Sequence, residues 1–101
     1  MSDLGGSVDP EALRRERAKA RELRQSQWWK RRIGDGVCYY CNRRVGHRAL
    51  TMDHRVPLGR GGRSTRGNVV PACKECNTNK RALVPLEWQA YLERLHESSL
   101  D

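Results

Sequence analysis

Cys73-Lys74-Glu75-Cys76-Asn77 sets a Cys-x-x-Cys pair directly against an asparagine, and a second pair, Cys38-Tyr39-Tyr40-Cys41, lies 31 residues before it. Two such pairs at this separation read as four thiolates closing on one tetrahedral zinc ion. The competing reading is a disulfide framework. Paired Cys-x-x-Cys knuckles speak against it, because that spacing is the one zinc ligands use. So does the N-terminus: Met1-Ser2-Asp3-Leu4-Gly5-Gly6 has neither the basic start nor the apolar run of an export signal. Reduced cysteines and no export signal imply a cytoplasmic protein.

A structural metal suits a chain of this size. At 101 residues there is room for one small domain, and the first third is too polar to contribute much core. Zinc binding then supplies folding free energy outright, of order 10 kcal/mol in small finger peptides.

The net charge of +8 is unevenly spread. Residues 1–34 carry 9 basic and 5 acidic side chains, residues 35–81 carry 10 and 3, and residues 82–101 carry 1 and 4. Positive charge therefore peaks on the segment that holds the cysteines. That distribution fits a polyanion, bound through phosphate neutralisation and counterion release. No long apolar stretch and no basic amphipathic helix with an aromatic face points to a membrane.

Outward from the knuckles, local signals divide the chain into a disordered start (1–8), a basic helical arm (9–34) and a metal-stapled domain (35–98). Asp9-Pro10 reads as a helix start, and the Ala-, Leu-, Arg-, Lys- and Glu-rich stretch from Glu11 to Arg32 as one helix stopped at Gly34. Leu13, Ala20 and Leu23 give it only a thin apolar stripe, so most of it is expected to be solvated, with Trp28, Trp29 and Ile33 docking its end. Ala49-Leu50-Thr51-Met52 reads as a strand. Residues 59–67 read as a flexible basic loop, and Asn68-Val69-Val70-Pro71 as a second strand closed by the proline. Asn77 to Leu83 can start a helix, and Pro85 opens a last helix with Trp88, Tyr91, Leu92 and Leu95 as its core stripe. Tyr39 and Tyr40 are expected around the first knuckle, His47 at the surface and His96 solvated. The loop lacks the Gly-Lys-Ser/Thr ending of a phosphate-binding P-loop.

Between the knuckles sits Asp53-His54. Asp53 and Asn77 offer oxygen to a hard cation such as Mg²⁺ or Mn²⁺. The neutral His54 ring can take a proton from water. A deprotonated water beside a phosphodiester clamped by a divalent cation is a recipe for metal-assisted phosphodiester hydrolysis. Lys80 and Arg81 follow Asn77 on the same helical face and can reach substrate phosphate. Arg60, Arg63 and Arg66 are further candidate nucleic-acid contacts. Adjacent residues of a regular strand point to opposite faces, so the chain is expected to distort at Asp53-His54 if both serve one site.

The run Leu50-Thr51-Met52-Asp53-His54-Arg55-Val56-Pro57-Leu58, followed by Gly61-Gly62, Asn68, Cys73-Lys74-Glu75-Cys76-Asn77 and Lys80, resembles the HNH endonuclease family over about residues 36–84. The resemblance implies an α+β chain: a small β-β-α metal fold with a four-cysteine structural zinc site, preceded by a basic helix and followed by a C-terminal helix. It implies that Asp53 is a metal ligand, His54 the general base, Asn68 a brace for the loop that orients His54, and Asn77 the second metal ligand. Structural zinc would sit on Cys38, Cys41, Cys73 and Cys76. Many members carry histidine where Asn77 stands; asparagine favours catalytic Mg²⁺ or Mn²⁺ over zinc.

The implied activity is DNA cleavage leaving 5′-phosphate and 3′-hydroxyl ends. One hydrolytic centre per chain implies nicking by a monomer or weak dimer. The absence of a separate recognition domain suits a partner within a larger phage or restriction complex. The rival reading is a non-catalytic zinc module that only binds nucleic acid. It accounts for the cysteines and the charge, but gives no reason for Asp53, His54 and Asn77 to stand at these spacings.

Overall fold

A computed structural model describes residues 9–99. The disorder expected over 1–8 lies outside the described residues. Six principal elements follow in order: α1 (Pro10–Gln25), α2 (Gln27–Arg32), β1 (Leu50–His54), β2 (Val69–Cys73), α3 (Lys74–Ala82) and α4 (Pro85–Ser99). β1 and β2 pair in a two-stranded antiparallel sheet. The small α+β architecture expected from the sequence is therefore present. Among the described residues, no helix is long and apolar enough to cross a membrane.

The chain divides into two compact units, one made of the α1–α2 helices with Met52–Val70, the other of Ile33–Thr51 with the chain from Pro71 onward. In the first unit, α1 starts on Pro10, whose fixed φ and missing N–H suit the first helical position. The single helix expected over Glu11–Arg32 is broken at Ser26. Its hydroxyl donates to the Leu23 carbonyl at 2.6 Å and accepts the Trp29 N–H at 3.2 Å. One side chain thus closes α1 and caps α2, a local alternative to helical pairing that serine offers readily. Ala20 and Trp29 are buried, as the thin stripe implied, but so is Glu16.

The segment read as a flexible loop is anchored. Leu58–Arg60 forms a 3-10 turn, and Gly62 and Ser64 are buried. A Cβ on Gly62 would lie 1.8 Å from the Val56 carbonyl oxygen. Gly62→Ala is therefore expected to destabilise the fold by about 1–3 kcal/mol or more, read as a lowered thermal midpoint. An unchanged midpoint would mean that the turn from Val56 to Gly62 can open without loss.

In the second unit, the first knuckle is a tight reversal. Asn42 takes φ 62, its N–H donates to the Cys38 carbonyl at 2.9 Å, and the Cys38 N–H donates to the Arg43 carbonyl at 2.9 Å. The left-handed glycine after the helices is Gly36 (φ +72), not Gly34; a Cβ there would meet Gly46 Cα at 2.8 Å. β2 runs through Pro71 to Cys73 instead of closing at the proline. Either strand of a two-stranded sheet is an edge, so a residue without an N–H is tolerated there, and the Pro71 carbonyl still accepts the Tyr39 N–H at 2.8 Å.

α4 packs through aromatic rings. Trp88 meets Tyr40 edge-on at 5.1 Å and stacks on Tyr91 at 5.4 Å between centroids. His96 is exposed, as expected, and its Nε2 lies 3.0 Å from the Tyr40 carbonyl, which ties the helix to the knuckle.

Candidate active site

The four cysteine sulfurs lie within 4.8 Å of one another, with Cys41 and Cys73 Sγ 3.9 Å apart. A zinc ion with four thiolates at about 2.3 Å requires sulfurs about 3.8 Å apart, so the cluster has the dimensions to hold one. Burial pushes the Cys38 and Cys76 thiols up. Burial also opposes ionisation of Cys41, but hydrogen bonds from the Arg43 side chain and N–H outweigh it and bring that thiol down to about 7. Buried sulfurs that resist joint ionisation need a cation to become thiolates together, and a zinc ion would supply that charge.

Sequence reasoning did not single out Arg43. Its Nε lies 3.3 Å from Cys41 Sγ and its Nη2 3.7 Å from Cys73 Sγ, and it pairs with Glu75. A guanidinium there offsets the negative charge of a four-thiolate cluster.

The second knuckle also starts α3. That helix begins at Lys74, three residues before the expected position, with Cys73 as its N-cap: Cys73 Sγ accepts the Cys76 N–H at 3.4 Å. Two cluster sulfurs therefore flank the first turn, and Asn77 follows on fixed backbone. Asn77 Nδ2 donates to Thr51 Oγ1 at 3.2 Å, and that hydroxyl donates to the Ala72 carbonyl at 3.1 Å. Thr51 so takes the amide nitrogen and leaves Oδ1 as the donor a hard cation would use.

In the other unit, β1 stays regular through Asp53 and His54, and the distortion expected there begins only at Arg55. His54 Nε2 lies 2.9 Å from Ser64 Oγ. Asn68 stands just before β2 and joins both ends of the intervening turn. Its Oδ1 accepts the Val56 N–H at 2.9 Å, and its Nδ2 donates to the carbonyls of Val56 at 3.0 Å and Arg63 at 2.8 Å. The Asn68 carbonyl also accepts the Arg55 N–H at 2.7 Å. An asparagine side chain using both ends of its amide in this way fixes the backbone immediately after His54.

Behind Ser64 is Glu16, which the sequence analysis did not single out. The signal was present: Glu16 falls on the stripe Leu13–Ala20–Leu23, where an acid at a core-facing position calls for buried donors. Hydrogen bonding from the Ser64 N–H, aided by Lys19 and Arg63, holds its carboxyl below the usual carboxylate range against the effect of burial.

The basic candidates separate. Arg63 Nε is bonded to Glu16 at 3.2 Å, and the Arg66 guanidinium stands 5.3 Å from the Trp28 ring centroid. Arg60 and Arg81 are exposed, and Lys80 is half-buried on α3. Asp53, His54 and Asn68 fall in the first unit, and Asn77 and the cysteines in the second.

None of the curated proteins compared with the chain matches it. Residues 38–83 match the family model described as HNH endonuclease, a span that begins on Cys38 and takes in Asp53, His54, Asn68 and Asn77. Over that span the chain is similar to an HNH endonuclease domain.

Proposed function

We propose that the chain is a divalent-metal-dependent DNA endonuclease that nicks one strand per event, with cleavage assigned to residues 35–98. The observation that carries this reading is a histidine held at the end of β1 by Ser64 and followed by a turn that Asn68 pins, inside a segment matching a nuclease family. His54 takes a proton from water; the resulting hydroxide attacks phosphorus and the P–O3′ bond breaks. The 3′ oxygen leaves and gains a proton from solvent, giving 5′-phosphate and 3′-hydroxyl ends. Asp53 and Asn77 are the oxygen donors for Mg²⁺ or Mn²⁺, which supplies charge neutralisation at the phosphate when bound. Asn68 braces the turn that follows the base. Lys80, Arg81, Arg60, Arg63 and Arg66 supply the cationic surface toward DNA phosphates, the four arginines exposed and Lys80 half-buried. The four thiols suit a reducing compartment such as the cytoplasm.

One hydrolytic centre per chain predicts the order of products. With supercoiled plasmid and Mg²⁺ or Mn²⁺, open circles are expected to accumulate before linear DNA, and EDTA is expected to stop the reaction. Linear product appearing together with open circles would refute single-strand nicking. DNA retained without cleavage in any metal would leave a binding module or a subunit that needs a partner.

A further inference from the structure

Ser64 is 6% exposed and sits between His54 and α1. Its hydroxyl has one proton to give. The Glu16 carbonyl oxygen, 2.6 Å away, can only accept, so the proton goes there. Toward His54 Nε2, the same oxygen can then only accept in turn. Nε2 must carry the ring hydrogen, and in the neutral ring the lone pair is on Nδ1.

The Glu16 carboxylate secures the other side of Ser64. Its Oε1 accepts the Ser64 N–H at 2.6 Å, while Oε2 is held by Arg63 Nε at 3.2 Å and Lys19 Nζ at 3.3 Å. Glu16 is 8% exposed, and acids are seldom that buried without such a set of donors. Residue 16 lies in α1, outside the segment 38–83 that matches the family.

We propose that Glu16 and Ser64 are positioning residues, through which α1 fixes both the orientation and the Nε2–H tautomer of His54. The N-terminal helix is then part of the site and not only a basic arm. The consequence for catalysis rests on the reading of His54 as the base. A base must present its lone pair within hydrogen-bonding reach of the water it deprotonates, and a ring able to flip or exchange tautomers spends time with the wrong nitrogen forward.

The test uses the full, zinc-loaded chain as wild type, Ser64→Ala, Glu16→Ala and Glu16→Gln. Nitrogen-15 NMR at a pH well above neutrality reads the His54 tautomer, assigned against His54→Ala. Plasmid nicking in Mg²⁺ gives kcat and KM. Zinc content and circular dichroism confirm that each variant is folded. Wild type is expected to hold the Nε2–H form alone. Ser64→Ala should give mixed tautomers and a kcat lower by roughly 10- to 100-fold, with KM within about twofold. Glu16→Ala should move the same way, and Glu16→Gln, which keeps an oxygen for the Ser64 N–H, should recover most of the loss. Should Ser64→Ala not fold, the wild-type tautomer and the two Glu16 variants decide the matter. An Nδ1–H ring in wild type overturns the proposal. So do a wild-type tautomer and kcat in a folded Ser64→Ala or Glu16→Ala. A wild type that never nicks DNA overturns the nuclease reading instead, and the tautomer spectra still decide whether α1 positions the ring.

Discussion

His54→Ala is expected to lower metal-dependent nicking by about 10²- to 10⁴-fold while leaving zinc content and DNA retention unchanged. The magnitude follows from the role proposed for the ring. A general base contributes about that factor by removing a proton in the transition state, and alanine leaves only water to do so. The loss should fall on kcat, because His54 bonds to Ser64 and is not one of the exposed cations proposed to hold phosphate. Removing it should also do little to the fold. It is half-buried at the end of β1, and Ser64 keeps its two bonds to Glu16 when the ring is gone. Comparing nicking rates at saturating DNA, with zinc measured in the same samples, decides the point. A variant within threefold or so of wild type would exclude His54 as the base.

Loss of the zinc cluster should have the larger effect on structure. Cys76→Ser, or stripping with a strong zinc chelator, is expected to unfold the unit built on Ile33–Thr51 and Pro71 onward, seen as lost helical circular dichroism. Cys38 and Cys76 are fully buried, and the Cys73 sulfur also caps α3, so few apolar contacts stand in for the metal. A structural zinc contributes of order 10 kcal/mol, comparable to the whole stability of a small domain. A serine hydroxyl does not replace a thiolate at zinc, since it stays protonated at neutral pH. Weak chelation that removes only Mg²⁺ should instead stop nicking with the spectrum intact. An unchanged spectrum after the zinc is gone would remove the structural role of the cluster.

Much of this was legible from local pattern. The spacing of Cys38, Cys41, Cys73 and Cys76 announced a four-sulfur site, and the cluster dimensions agree with it. Pro10 and Pro85 opened helices where proline at a first turn should. The failures are local rules overtaken by a specific side chain. Ser26 interrupts a stretch whose propensities favour helix throughout, because one hydroxyl satisfies two helix ends. The glycine- and arginine-rich run from 59 to 67 has the composition of a mobile loop, yet Asn68 and Glu16 anchor it with hydrogen bonds that composition does not report.

By itself, the sequence determined the chemistry on offer: four thiols at zinc spacing, Asp53 beside His54, Asn68 and Asn77 downstream, and a surplus of cations around them. Only the tertiary structure decided how those groups are held. Glu16 meets Ser64 across 48 positions of chain, and Arg43 reaches Cys73 across 30. Periodicity and motif spacing record which residues a segment exposes or buries. They do not record which distant partner satisfies a buried carboxylate or a histidine nitrogen, because that choice is made only when folding brings the segments within hydrogen-bonding distance.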